Sequence, residues 1–259
     1  MSSDPRSLSQ ERFGRFAKGY VTSQTHAKGF ELERLLDIAQ PESDWSVLDI
    51  ATGGGHTALK FLPFVEWVVA ADITPNMMAA AREFITRQGN GNVQFLAADA
   101  EHLPLVEGHF DLITCRIAPH HFPNCAKFVR DAARTLKLGG LLLVQDQLVP
   151  DDDVLARYVN DFERLRDPSH NWAYTQADWV EMFKDAGLVV EHTESIIKEH
   201  RLIPWAERQG CTAEVMDRLR QMLLDAPPIA SEWLQAKDIF TPEATFVNHH
   251  IIIAGRNHR

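Results

Sequence analysis

The chain has 259 residues, of which 45% are hydrophobic and 24% charged, a composition typical of a globular domain. Its 36 acidic and 26 basic residues give a net charge of −10, which argues against nucleic acid as a partner, because phosphate neutralisation needs clustered Lys and Arg. The three cysteines lack metal-type spacing, and the N-terminus lacks an apolar signal segment. We therefore expect a cytoplasmic protein with no integral membrane segment.

Short apolar segments alternate with helical patterns in the first two thirds of the chain. Strands are predicted at 45–51, 67–73, 93–99, 111–117 and 140–146, each apolar nearly throughout, as in a parallel sheet covered on both faces. Helices are predicted at 56–62, 74–89 and 124–140; in the second, Thr74 is a natural N-cap, Pro75 fits the first helical position and Gly89 is a stop signal. This alternation predicts a doubly wound α/β fold.

The pattern changes after residue 150. Helices are predicted at 154–167 and 175–188, the second with a capping signal from Thr175 and Asp178. Helical sequence at roughly 205–238 separates two further strands, at 188–197 and 246–255. We predict a Rossmann-like seven-stranded sheet, mostly parallel with an antiparallel C-terminal strand, plus a helical lid. The predicted parts of this single domain (1–259) are an N-terminal helical cap (1–40), a ligand-binding core (41–150), lid insertions with the sixth strand (151–240) and a final strand (241–259).

The segment VLDIATGGGHTA (47–58) leads from an apolar run through an acid into three glycines. Gly53-x-Gly55-x-x-Ala58 matches the dinucleotide fingerprint, and Asp72 lies 19 residues after Gly53, where a ribose-binding acid is expected. An NAD(P)-dependent oxidoreductase is therefore one hypothesis. Asp49 favours another ligand, because a carboxylate beside the loop repels a pyrophosphate and attracts an ammonium group.

Four segments in order resemble the successive motifs of class I S-adenosylmethionine (SAM)-dependent methyltransferases. They are VLDIATGGGHTA, VVAADITPNMMAAAR, VQFLAADAEHLPLVEGHFDLITCRIAPHHF and VRDAARTLKLGGLLLVQD, and they are most similar to the small-molecule branch that includes the ubiquinone/menaquinone methyltransferases. The resemblance covers about residues 45–150. It implies one methyltransferase domain, SAM as the cofactor and in-line methyl transfer to a small-molecule acceptor. A SAM-binding protein without transferase activity is a further alternative.

The resemblance also implies the contacts of the cofactor. Asp49 and the loop at 52–55 would hold the methionine moiety, Asp72 would accept both ribose hydroxyls, and Asp99 would accept the adenine amino group. Ala51 stands where the family usually has glycine. The expected contacts are Asp49, Ala51, Thr52, Gly53, Gly55, Asp72, Ile73, Met77, Asp99, Ala100 and Arg116.

Candidate catalytic residues follow the fourth predicted strand, in CRIAPHHF (115–122). His120 or His121 would act as a base or a hydrogen-bond orienter, and Arg116 would hold an anionic or carbonyl group of the acceptor. The alternative is that a histidine here packs under the following helix. No metal is expected, since no third ligand lies at a suitable spacing from this histidine pair.

Candidate substrate contacts lie in the lid and near the N-terminus. His170 and Trp172 could close over the acceptor, or they could cap and fill the lid, and Tyr20 could lie across the cofactor pocket. The sequence leaves the oligomeric state open and is compatible with a homo-oligomer.

Overall fold

A computed structural model describes residues 6–8, 10–12, 30–89 and 91–259. Its strands are β1 (Ser46–Ile50), β2 (Trp67–Asp72), β3 (Val93–Ala97), β4 (Phe110–Arg116), β5 (Leu136–Gln147), β6 (Leu188–Arg201) and β7 (Thr245–Asn257). They form a seven-stranded sheet in the order β3-β2-β1-β4-β5-β7-β6, in which β7 runs antiparallel to both β5 and β6 and the other neighbouring strands are parallel. The predicted Rossmann-like sheet with an antiparallel C-terminal strand is confirmed.

Helices cover both faces of this sheet. They are α1 (Phe30–Ala39), α2 (His56–Phe61), α3 (Pro75–Arg87), α4 (Cys125–Thr135), α5 (Asp153–Arg166), α6 (Gln176–Asp185), α7 (Leu202–Glu207), α8 (Ala213–Leu224) and α9 (Pro228–Leu234). Two 3-10 turns lie at Leu62–Phe64 and Pro119–His121. The predicted caps hold in part: Thr175 and Asp178 form a reciprocal capping box at α6, whereas Thr74 precedes α3 without a capping bond from its side chain.

The sheet divides the core into two layers. One face of the sheet packs against α4 and α6 through side chains such as Phe128 and Trp179, and the other packs against α1 and α2 through Leu35 and Phe61. A separate apolar cluster joins α5, α7, α8 and α9 to β7, with Phe246 at its centre. The central strands are covered on both faces, so they leave the apolar core only at their ends. Polar residues at their carboxyl ends therefore lie together at one edge of the sheet.

Two predicted boundaries in the chain are wrong. The helix predicted at 124–140 ends at Thr135, and residues 136–140 begin β5 instead. Leu136 pairs with Phe110 of β4, and Gly140 lies so close to the Phe110 carbonyl that a Cβ would stand 2.9 Å from its oxygen. The helical stretch predicted at 205–238 is broken into α7, α8 and α9, with α7 already beginning at Leu202.

Within the described residues, no helix is both long and apolar enough to cross a bilayer. In the same part of the chain, no group of three or more His, Cys, Asp or Glu side chains is placed to hold a metal ion. Cys115, Cys125 and Cys211 are free thiols. The division into cap, core and lid stays a prediction, and most of the predicted cap (1–40) lies outside the described residues.

Candidate active site

The strand ends of β1, β2 and β4 open into one cleft of about 1050 Å³, a volume that includes its solvent-filled mouth. Ten of the eleven expected cofactor contacts line it: Asp49, Ala51, Thr52, Gly53, Asp72, Ile73, Met77, Asp99, Ala100 and Arg116. The structure therefore brings together Asp49, Asp72 and Asp99, the three acids that the sequence analysis assigned to one cofactor. Gly55 is not among the described residues that line the cleft.

Asp49 is an ionisable group built into the core at the end of β1. Its side chain is 1% exposed; Oδ2 accepts hydrogen bonds from the Thr52 hydroxyl (2.6 Å) and the Ala58 N–H (3.2 Å), and Oδ1 accepts one from the Thr114 hydroxyl (2.7 Å). Burial raises the pKa of Asp49 to about 6, against the opposing effect of these hydrogen bonds and of Arg116. At neutral pH the group is thus a carboxylate that gains from a nearby cation.

Asp72 ends β2 and ties the glycine loop to the start of α3. Its Oδ2 accepts a hydrogen bond from the Gly53 N–H at 3.0 Å, and its Oδ1 accepts one from the Thr74 N–H at 2.8 Å. Burial raises the pKa of Asp72, and these N–H groups oppose that rise. A carboxylate offers about four lone-pair sites, so each oxygen keeps acceptor capacity for a ribose diol.

The glycines of the loop differ in backbone conformation and in the space around them. Gly55 has φ +83°, and a Cβ there would lie 2.9 Å from Cδ1 of Ile85, so this glycine is required by backbone conformation and by packing against α3. Gly53 has φ +54° and lines the cleft, and a Cβ there would make only an ordinary contact, 3.9 Å from the Ala51 carbonyl oxygen. Ala51, where the family usually has glycine, also has a positive φ (53°), which explains that family preference.

Asp99, the expected partner of the adenine amino group, already has a cationic neighbour that the sequence analysis missed. Arg6 Nε lies 3.0 Å from Asp99 Oδ2, and Arg6 Nη2 lies 2.5 Å from the buried Glu101 carboxylate. Gln10 reaches the same wall, with its Nε2 donating to the Ile73 carbonyl at 2.9 Å. A residue near the N-terminus carries no local signal that it returns to β3, because that contact is set by the tertiary fold.

Arg116 ends β4 beside Asp49 and lines the cleft. Its Nε donates to the Thr57 hydroxyl at 3.0 Å. Burial lowers the pKa of Arg116, while the charges of Asp49 and Glu31 raise it. An arginine stays protonated under such conditions, so this wall of the cleft carries a fixed positive charge.

The two candidate histidines have different positions. His121 lines the cleft, whereas His120 is absent from the cleft lining within the described part of the chain. His120 Nδ1 lies 2.6 Å from Asp146 Oδ1, and its ring centroid lies 4.1 Å from that of His121. Burial acts to lower the pKa of His120, but the Asp146 carboxylate outweighs it, and the pKa is raised.

His121 is a weak base in this setting. Its Nδ1 donates to the Ser169 carbonyl at 2.9 Å, since a carbonyl oxygen can only accept. Burial first, and then the charge of His120, lower the pKa of His121 to about 3. The imidazole is therefore neutral at pH 7 and suited to hydrogen bonding more than to taking a proton.

The candidate substrate contacts in the lid lie behind these histidines. His170 is buried, its Nε2 donates to Asn160 Oδ1 at 2.7 Å, and its ring centroid lies 5.3 Å from that of His120, with the two rings tilted by 31°. Trp172 is half-buried, and its backbone N–H donates to the His120 carbonyl at 3.0 Å. Neither is among the described residues that line the cleft, so a contact with the acceptor stays a prediction. Tyr20 lies outside the described residues.

Comparison with known proteins agrees with this geometry. A family model described as a methyltransferase domain matches residues 48–144. The chain is 36% identical over 228 residues to the uncharacterized methyltransferase YcgJ of Bacillus subtilis, a match that covers 88% of each chain. The crystal structure of YcgJ has a TM-score of 0.85 and covers 88% of this chain and 98% of its own. The crystal structure of BH2331 from Bacillus halodurans has the same TM-score at 35% identity, over 89% of this chain and 100% of that one.

The chain belongs to the class I SAM-dependent methyltransferases. It is an enzyme whose cofactor is SAM, and this assignment replaces both the NAD(P) hypothesis and that of a binding protein without activity. The described residues fit SAM: Asp49 is a buried carboxylate for an ammonium group, Gly53 and Gly54 leave the backbone open to the cleft, and Asp72 stands at the adjacent strand end.

Proposed function

We propose that this methyltransferase acts on a small-molecule acceptor by in-line transfer. The observation that carries the proposal is that Arg116, at the end of β4, and Ala118 and His121, just after it, line the same cleft as the strand-end acids. A concave cleft that combines apolar side chains with a few convergent polar groups is the usual form of a small-molecule site. The net charge of −10 supports a small acceptor over a polynucleotide.

The described residues supply orientation and charge, with little base strength. When bound, SAM supplies an electrophilic methyl carbon on a positively charged sulfur. Because the pKa of His121 is about 3, this side chain orients the acceptor through a hydrogen bond and leaves its protons in place. Arg116 provides a fixed cation for negative charge on the acceptor. The site therefore favours an acceptor that is nucleophilic on arrival, and catalysis by alignment and exclusion of water.

Among the relatives, the ubiquinone/menaquinone biosynthesis C-methyltransferase UbiE of Ectopseudomonas mendocina is 39% identical over 115 residues, which is 43% of this chain and 45% of that protein. A match of less than half of either chain supports a shared cofactor-binding half. It leaves the acceptor of this enzyme to be found by experiment.

The proposal is tested with SAM that carries a labelled methyl group. The purified enzyme is incubated with a cell extract that ultrafiltration has divided into small molecules and macromolecules. We expect label to enter the small-molecule fraction, and the Asp72→Ala variant, which should bind SAM weakly, to leave that fraction unlabelled. Label in the macromolecular fraction, or transfer by the variant at the wild-type rate, would contradict the proposal.

A further inference from the structure

A polar patch adjoins Arg116 at the wall of the cleft, on the face of the sheet that α1 and α2 cover. We define it as Arg116 (β4), Gln145 (β5), His250 (β7) and Lys198 (β6). Gln145 is the register partner of Arg116, His250 is that of Gln147, and Lys198 lies two residues beyond Ile196, the partner of His250. Register partners point to the same face, and so do alternate residues of a strand, so the four side chains share one face.

The patch interrupts an apolar layer. Towards the other end of the same strands, this face carries Leu141, Leu143, Ile252 and Ala254, which are buried in the core under α1. Leu143 lies two residues before Gln145 on β5, and Ile252 is the register partner of Gln145 on β7. The change from aliphatic to polar side chains occurs where β4 ends in Arg116, at the wall of the cleft.

Two members of the patch are buried polar groups without partners. Gln145 is 0% exposed, and neither its Oε1 nor its Nε2 has a hydrogen-bond partner among the described residues. His250 is 4% exposed, and its Nδ1 likewise lacks a partner in the described part of the chain. Burial without a partner destabilises a folded protein, and an apolar residue at either position would avoid that cost. A ligand that supplies the missing hydrogen bonds accounts for both residues.

The charges around the patch favour an anion. Glu31, buried on α1, forms an ion pair with Lys198. Asp49 is the other carboxylate whose charge acts on Arg116, and it faces the cofactor half of the cleft. Arg116 and Lys198 balance the charges of Asp49 and Glu31. SAM carries an ammonium group, a sulfonium and a carboxylate, so its binding would add one net positive charge, which an anionic acceptor would neutralise. Burial lowers the pKa of His250 well below its ordinary value, so this imidazole adds hydrogen bonding without a further charge.

We propose that the polar patch binds a carboxylate group of the methyl acceptor, held by the Arg116 guanidinium, the Gln145 amide and the His250 imidazole. This inference rests on the proposed function, since it describes the acceptor half of the same cleft. A carboxylate carries a single negative charge on a planar group, which matches the planar fork of an arginine. The amide N–H of Gln145 and a neutral imidazole add donors beside that fork.

The test measures binding of small carboxylates to the full-length enzyme saturated with S-adenosylhomocysteine (SAH). Calorimetry compares acetate, butanoate and benzoate with their carboxamides at constant ionic strength, because each amide keeps the shape and removes the charge. We expect at least one carboxylate to bind about tenfold or more tightly than its amide. Gln145→Glu places a negative charge in the patch and should abolish that preference while SAH binding persists.

Gln94→Glu is the matched control, because Gln94 is exposed on the edge strand β3 and receives the same charge change. Gln145→Leu is a second variant, expected to fold with a raised melting temperature and to lose the carboxylate preference. Equal binding of carboxylates and amides, or an unchanged preference in Gln145→Glu, would overturn this inference. If SAH still bound in that case, the proposed function would stand. Failure to bind SAH would overturn both.

Discussion

The substitution Asp49→Asn tests two effects of the Asp49 charge: it should attract the ammonium group of the cofactor, and its burial should lower the stability of the fold. The pKa of Asp49 rises from 3.8 to about 6 because the folded protein buries its charge. One pKa unit corresponds to 1.36 kcal/mol, so the ionised side chain costs the folded state about 3 kcal/mol at pH 7. The stabilising effect of its protonated form is present below about pH 4 and is lost as the pH rises to about 6.

Asp49→Asn removes this charge, but an amide has only one acceptor oxygen for the donors from Thr52, Thr114 and Ala58. We therefore expect a net gain of about 1–3 kcal/mol in the free energy of unfolding at pH 7. Urea unfolding at pH 7 and pH 5 measures it, and the advantage of the variant should fall by about 1.3 kcal/mol at the lower pH, because part of the wild-type Asp49 is then protonated. Calorimetry should show SAM binding at least about tenfold weaker, because an amide cannot pair with an ammonium group.

A variant less stable than the wild type at pH 7 would show that Asp49 is mainly a structural acceptor for the two threonine hydroxyls. Unchanged SAM affinity would show that the ammonium group lies elsewhere. Either result would contradict the electrostatic reasoning behind the cofactor site. Wild-type SAM affinity should also fall as the pH drops below about 6, and that dependence should be absent in the variant.

Three further predictions concern single residues. Asp72→Ala should weaken SAM binding by about 1.5–3 kcal/mol, the cost of lost hydrogen bonds to a charged group, and an unchanged dissociation constant would refute the ribose assignment. Gly55→Ala should destabilise the fold by about 1–3 kcal/mol in urea unfolding, because Gly55 has a positive φ and an added Cβ would clash with Ile85. Gly89→Ala is the matched control: Gly89 also has a positive φ but has open space around it, so this change should destabilise the fold less. His120→Ala should lower stability by about 3 kcal/mol, since it removes the imidazole partner of the buried Asp146 Oδ1 and leaves only the backbone N–H that donates to Oδ2. A stable variant that binds SAM and loses only turnover would place His120 in the chemistry.

The sequence was sufficient to predict the sheet and the presence of three acids at the end of its strands in one cleft. Asp49, Asp72 and Asp99 could be predicted because each follows an apolar segment, and parallel strands bring such ends to one edge. The boundary at Leu136 could not be predicted, since TLKLGG continues the helical pattern and only the pairing with Phe110 ends it.

The positions of the histidines and of the polar patch depend on tertiary structure. His120 and His121 are adjacent in sequence, and the 3-10 turn at Pro119–His121 directs one towards Asp146 and the other into the cleft. A buried Gln145 in the run LLLVQDQ is the one local signal for the polar patch, because a fully covered strand rarely carries an amide. His250 joins it through the order β5-β7-β6, which no local pattern reveals.

The extent of the family match explains why the chain can be assigned to a family without its acceptor being assigned. The methyltransferase domain model ends at Val144, so it contains the strand ends of β1, β2 and β4 and stops one residue before Gln145. Lys198 and His250 lie further along the chain. The UbiE enzymes match less than half of this chain, so they need not share these two residues. We expect the cofactor to constrain the strand ends of β1, β2 and β4, and the acceptor to select the residues of the polar patch on β5, β6 and β7. Substitutions on these three strands are therefore the ones expected to change the acceptor while SAM affinity stays constant.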